Sequence, residues 1–240
     1  MSHITTVIFD MYDTLVLNDP LRWKATFEEI IREQGLDTDV DRLREVWREA
    51  DLEFRSKRDR PGVPFQSYYE TWRAGFVRAF DTLGLPGDPE AAVNKTLKDL
   101  SSRVPFPETV EALGMIQDRC RIAVLSNADD CFLLPNLELL GLNFAAVLSS
   151  EEARDYKPRP GLFLEMLRRL GVTPQESVYV GDRQYEDVQG AGGVGMNTVW
   201  INRSGAAPDP KLPTPDRQIS SLLELPGLLP EWPPAEDGAR

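Results

Sequence analysis

Beyond Pro105 short apolar runs alternate with helix-length amphipathic segments, and that alternation leaves few folds open. Residues 108–117 read as a helix, 122–125 as a strand, and 132–140 as a helix with Pro135 near its start. A strand at 145–148, a helix at 161–170 stopped by Gly171, a strand at 177–180, a helix at 185–191 and a strand at 198–201 continue the series. Such alternation predicts a parallel sheet with helices on both faces. The β-branched and aromatic run 5–9, ending at Asp10, reads as a further buried strand of the same sheet.

Between that first strand and its companions the pattern changes. Trp23, Phe27, Ile30 and Ile31 share one helical face, and Val40, Leu43, Val46, Trp47, Ala50 and Phe54 share another. Phe65, Tyr68, Tyr69, Trp72, Phe76 and Phe80 form a broad aromatic stripe, and residues 88–100 fit a fourth helix behind an Asp-Pro start. The predicted architecture is a doubly wound, Rossmann-like α/β core over residues 1–17 and 102–240, with an all-helical cap over 18–101 inserted after the first strand. Eight of the nineteen prolines follow Gly205, and residues 226–240 are expected to form a loose terminus.

Composition narrows the chemistry. With 27 Lys+Arg against 39 Asp+Glu, the formal net charge is −12. A chain this acidic lacks the basic stripe that nucleic acid requires and is a poor ligand for anionic membranes. No apolar run approaches the ~20 residues of a spanning helix. Cys120 and Cys131, the only cysteines, fit neither a disulfide framework nor a metal site, which leads to the expectation of a reducing, cytoplasmic setting. His3 is the only histidine, so a histidine base or Ser-His-Asp triad is disfavoured. The oligomeric state is not legible.

In an open α/β sheet the ligand sits beyond the carboxyl ends of the strands. Asp10 follows the first strand, Ser126-Asn127 the next, and Gly181-Asp182 a later one, with Glu186 and Asp187 just beyond. Lys157-Pro158 precedes the helix at 161–170. Taken singly, each has a plain structural explanation: a helix cap, a turn, a solvated loop charge. In order and at this spacing, FDMYDTLV (9–16), VLSNAD (124–129), YKP (156–158) and VGDRQYEDVQGA (180–191) resemble the four motifs of the haloacid dehalogenase-like hydrolases. The helical insertion lies where one branch of that family places its cap.

The resemblance implies that Asp10 is a nucleophile forming a covalent intermediate. It implies a Mg²⁺ ion held by Asp10, by the main-chain carbonyl of Tyr12 and by Asp182, with support from Asp187. Lys157 would balance charge and Ser126 would hold a phosphoryl oxygen, with Asn127 and Asp13 near the substrate. Family phosphatases carry a second Asp two residues after the nucleophile, which protonates the leaving alkoxide; here Tyr12 stands there and Asp13 follows. Loss of such an acid removes ~10²–10⁴ in rate.

Tyr12 instead matches the dehalogenase branch, and VWREADLEF (46–54) resembles that branch's cap helix, making Arg48 the match to its halide-binding Arg. A solvent-facing helix residue is an equal reading of Arg48. The acidic fourth motif points to a metal site, since uncompensated carboxylates beside Asp10 are costly and a cation relieves them. The expectation is a Mg²⁺-dependent phosphohydrolase acting on a small phosphorylated metabolite. The alternatives are a metal-independent 2-haloacid dehalogenase using Asp10 and Arg48, and a weakly active phosphate-binding or regulatory protein.

Overall fold

The structure is a computed structural model and describes residues 3–232. Six strands form one all-parallel sheet: β1 (Thr6–Phe9), β2 (Arg121–Ser126), β3 (Ala146–Ser149), β4 (Ser177–Gly181), β5 (Asn197–Ile201) and β6 (Arg217–Ile219), in the order β3-β2-β1-β4-β5-β6. Every residue of β1 and β4 is buried, as expected for parallel strands covered on both faces. The order reverses at β1, which lies between β2 and β4, so the crevice for a ligand opens at the carboxyl end of the strand that precedes Asp10. The short edge strand β6, of which only Ile219 is buried, has no counterpart among the strands read from the sequence.

The chain divides into two compact units. The first comprises Met1–Leu17, Val104–Asn127 and Leu140–Arg240 and holds the whole sheet. One of its cores packs Ile8, Leu125, Leu148 and Tyr179 against Leu162, Phe163 and Met166. The last three lie on the helix Pro160–Leu170, which starts with Pro at its first turn and ends at Gly171 in the left-handed conformation (φ 62°). Residues 226–232 are not loose: short helical turns run through Glu231, and the Trp232 indole donates to Asn197 Oδ1 at 2.8 Å. The rest of the expected tail lies outside the described residues.

The second unit comprises Asn18–Arg103 and Ala128–Leu139. It contains α1 (Pro20–Gln34), α2 (Val40–Arg55), α3 (Tyr68–Leu83) and α4 (Pro89–Leu100), and it takes in most of the helix Asp130–Leu140, a segment that the sequence pattern grouped with the strands. The aromatic stripe is this unit's core: Trp47, Trp72 and Phe76 pack ring to ring with Trp23 and Phe27, and Phe132 stacks on Trp72. The Asp129 carboxylate accepts from the Tyr68 and Tyr69 amides at 2.9 and 2.8 Å and so caps α3. Arg58 is buried, its guanidinium donating to the Tyr68 hydroxyl.

Candidate active site

Three strand ends bring the candidate side chains of the first unit together. Asp10 follows β1, its amide bonded to the Val180 carbonyl of β4 at 2.9 Å. Ser126, the last residue of β2, donates to Asp10 Oδ1 at 3.0 Å. Lys157 donates to the same oxygen at 2.7 Å, to Asp187 Oδ1 at 2.6 Å and to the Tyr179 hydroxyl at 2.8 Å. An ammonium has three protons, and these contacts use all of them. Asp10 Oδ2 takes no hydrogen bond from the described residues.

The lysine is held from behind. Asn127 Oδ1 accepts from the Lys157 amide at 2.9 Å, and Asn127 Nδ2 donates to the Lys157 carbonyl at 3.2 Å. Both ends of the Asn127 amide are thus engaged with main chain. Burial alone would lower the Lys157 ammonium, but the Asp10 and Asp187 charges outweigh it and hold it well above the ordinary lysine value.

After β4 the chain forms a single π-helical turn, Gln184–Gln189, which carries Asp187 back under the strand end. There Asp187 Oδ2 accepts from the Arg183 amide at 2.9 Å. The fit is close: a Cβ on Gly181 would lie 2.3 Å from Asp187 Cγ and Oδ2. Asp182 stands beside it, its carbonyl fixed by the Trp200 indole at 2.9 Å. The Asp182 carboxylate has no hydrogen-bond or ion-pair partner among the described residues.

Asp10, Asp182 and Asp187 each offer a carboxylate oxygen, all within 4.8 Å of one another. Burial, then the charges of Asp187, Asp10 and Asp13, push Asp182 well above the ordinary aspartate value, and Arg183 opposes this only weakly. Burial also pushes Asp187 up, to about 6, against the pull of Lys157. Three carboxylates therefore face one ammonium. An all-oxygen, carboxylate-rich set with one unbonded member suits a hard divalent cation such as Mg²⁺.

The remaining residues singled out from the sequence lie less deeply. Tyr12 and Asp13 are half-buried in the turn after Asp10, where Asp13 adopts a left-handed conformation (φ 62°) and its amide donates to the Val16 carbonyl at 2.8 Å. Arg48 is exposed on α2, in the helical unit. The sequence pattern does not single out Tyr179; its signal is a lone aromatic among the small and aliphatic residues of the fully buried strand SVYVG.

A family description of haloacid dehalogenase-like hydrolases matches residues 4–195. The chain belongs to that family. Its similarity to particular members reaches in two directions. It is 32% identical over 213 residues to glyceraldehyde 3-phosphate phosphatase of Methanopyrus kandleri, covering 83% of this chain and 84% of that one. It is 37% identical over 126 residues to human N-acylneuraminate-9-phosphatase, but there the match spans only about half of each protein, 51%. The crystal structure of a dehalogenase with an intermediate complex superposes with a TM-score of 0.74 at 25% identity, over 95% of this chain and 98% of that one. Family membership makes the chain a hydrolase-fold protein with phosphatases and dehalogenases among its relatives; the choice between those chemistries falls to the site itself.

Proposed function

We propose that this haloacid dehalogenase-like hydrolase is a Mg²⁺-dependent phosphohydrolase that acts on a small phosphorylated metabolite through an aspartyl-phosphate intermediate on Asp10. The observation that carries the reading is the acidic crowding around Asp10: Asp182 and Asp187 flank it, and among the described residues Lys157 is the one cation paired with this cluster, bonded to Asp10 and Asp187 but not to Asp182. A dehalogenating site attacks an uncharged carbon and has no use for that excess of negative charge. A phosphoryl-transfer site with a bound cation does.

Asp10, Asp182 and the Tyr12 carbonyl would hold the ion, and Asp187 would orient its surroundings through Lys157 and the Arg183 amide. When bound, Mg²⁺ supplies charge neutralisation between the carboxylate nucleophile and the phosphate. Asp10 attacks phosphorus, the ester oxygen leaves with the bond's electron pair, and water then cleaves the aspartyl phosphate to release inorganic phosphate and restore the carboxylate. Lys157 and Ser126 pin Oδ1 of the nucleophile and donate to the charge that develops.

With Tyr12 in place of a carboxylic acid two residues after Asp10, leaving groups that need a proton are disfavoured. Aryl and acyl phosphates should therefore turn over ~10²–10⁴ faster than alkyl phosphates. Tyr12 is also the feature that favours the second reading, a metal-independent 2-haloacid dehalogenase using Asp10 and Arg48. One experiment separates them. The protein is incubated with p-nitrophenyl phosphate and, separately, with 2-chloropropionate, each with Mg²⁺ and with chelator. Phosphate release that the chelator abolishes supports the proposal. Halide release indifferent to chelator, without phosphate release, replaces it with the second reading. Neither activity, with saturable binding of a phosphorylated ligand, leaves a binding or regulatory protein.

A further inference from the structure

Tyr179 occupies the middle of β4 with 1% exposure, its ring edge-on to Phe163 at 5.3 Å between centroids. A phenylalanine would fill this volume equally well, and an unbonded hydroxyl at such depth is costly. The hydroxyl is therefore informative. It donates to the Leu125 carbonyl at 2.7 Å, which commits its single proton to β2. Toward Lys157 it presents only lone pairs, and it accepts from Nζ at 2.8 Å.

Both partners lead to the same atom. Lys157 Nζ is bonded to Asp10 Oδ1. The Leu125 carbonyl belongs to the peptide that joins Leu125 to Ser126, whose hydroxyl is bonded to that same Oδ1. One phenolic oxygen thus touches both donors that hold the nucleophile, Lys157 directly and Ser126 through its own peptide. Two carboxylate acceptors leave one ammonium proton unbonded, whereas the third acceptor engages it and sets all three N–H directions.

We infer that Tyr179 is a positioning residue: its hydroxyl is the third acceptor that aims the Lys157 ammonium at Asp10 and steadies the Ser126 peptide. The inference rests on the proposal that Asp10 is the nucleophile. Burial raises the Tyr179 phenol well above its ordinary value, so the hydroxyl remains a neutral donor to Leu125 under all ordinary conditions.

The test is Tyr179→Phe in the full-length chain, with two readouts. The first is kcat and KM on p-nitrophenyl phosphate with Mg²⁺. The second needs no activity: hydrogen exchange of the Lys157 ammonium, followed by ¹⁵N NMR and assigned by its loss in Lys157→Arg. Expected are a kcat lower by roughly 10- to 100-fold, KM changed by less than about threefold, and ammonium exchange at least about tenfold faster, with the amide spectrum retained. Wild-type exchange in Tyr179→Phe overturns the inference, even if kcat falls, because the effect then does not run through Lys157. Faster exchange with wild-type kcat in an active enzyme overturns it as well, because orientation then does not serve the reaction. If the wild-type chain hydrolyses no phosphate, the functional reading fails separately, and the exchange measurement alone decides whether Tyr179 holds Lys157.

Discussion

Gly181→Ala probes the site without replacing a titratable group. The added Cβ would sit 2.3 Å from Asp187 Cγ and Oδ2, whereas ordinary contact begins at 3.4 Å. The carboxylate must retreat by about 1 Å (3.4 less 2.3). Its bonds to Lys157, at 2.6 Å, and to the Arg183 amide, at 2.9 Å, then stretch to where neither is a hydrogen bond. Hydrogen bonds to charged groups contribute about 1.5–3 kcal/mol each. Two such bonds come to about 3–6 kcal/mol, close to the about 3–5 kcal/mol of a half-broken buried ion pair. A destabilisation of about 3–5 kcal/mol is expected in urea unfolding, with loss of Mg²⁺ binding by calorimetry. Gly193→Ala is the control: nothing lies within 4 Å of its added Cβ, and it should stay within about 1 kcal/mol of wild type. An Asp187→Ala background should relieve the clash only in part, because the Cβ that alanine keeps would still lie 2.6 Å from the added one. A Gly181→Ala protein within 1 kcal/mol of wild type that still binds Mg²⁺ would refute the placement of Asp187.

Asp10→Asn should retain the fold and lose about 10⁴-fold or more in kcat on p-nitrophenyl phosphate, and no phosphoryl-enzyme should be trapped on that variant by mass spectrometry. Lys157→Met leaves Asp10 and Asp187 facing each other without their cation, which should cost about 3–5 kcal/mol in metal-free urea unfolding and be partly offset by millimolar Mg²⁺. Metal-free stability should also fall as pH rises from about 4 through 6 and beyond. Asp187, near 6, and Asp182, higher than usual, are both raised above their unfolded values, so the native state binds the extra protons in that window and loses the benefit as they leave. Mg²⁺ needs the deprotonated forms, so its increment in thermal midpoint should grow over the same window and shrink in Asp182→Asn; a flat metal-free profile would count against the raised carboxylates.

The alternation of strands and helices made the parallel sheet legible before any coordinate, because period and length separate a buried strand from an amphipathic helix. The residues after those strands were legible for a topological reason: chemistry in such sheets gathers at carboxyl ends, and Asp10, Ser126, Lys157, Asp182 and Asp187 all stand there. Periodicity reports which face of an element is buried and says nothing of partners. The resemblance sets Asn127 near the substrate, and the pattern gives no sign that both ends of its amide hold the Lys157 main chain. Nor does it disclose the bond of the buried Arg58 to Tyr68 or that of Lys157 to the Tyr179 hydroxyl. β6 escaped because Arg217 and Gln218 are exposed and Ile219 alone is buried, too short a run to carry an alternation.

Tyr12 and Asp182 pull toward different chemistries, and the physical weight of the two signals differs. Tyr12 removes a proton donor, which affects only reactions whose leaving group needs one. Asp182 adds a carboxylate that must coexist with Asp10 and Asp187 in every state of the protein, turning over or not. Lys157 has no proton left for it, since its three are bonded to Asp10, Asp187 and Tyr179. The site then has two ways to lower its energy: Asp182 keeps a proton, or a cation enters. The first leaves a neutral acid beside Asp10, which can donate one hydrogen bond but brings no positive charge to offset an incoming phosphate. The second turns the same crowding into affinity for the ion and for the phosphate that follows it. A dehalogenase would gain nothing from carrying that cost, and on that ground the proposed phosphohydrolase reading follows the fourth motif rather than the first.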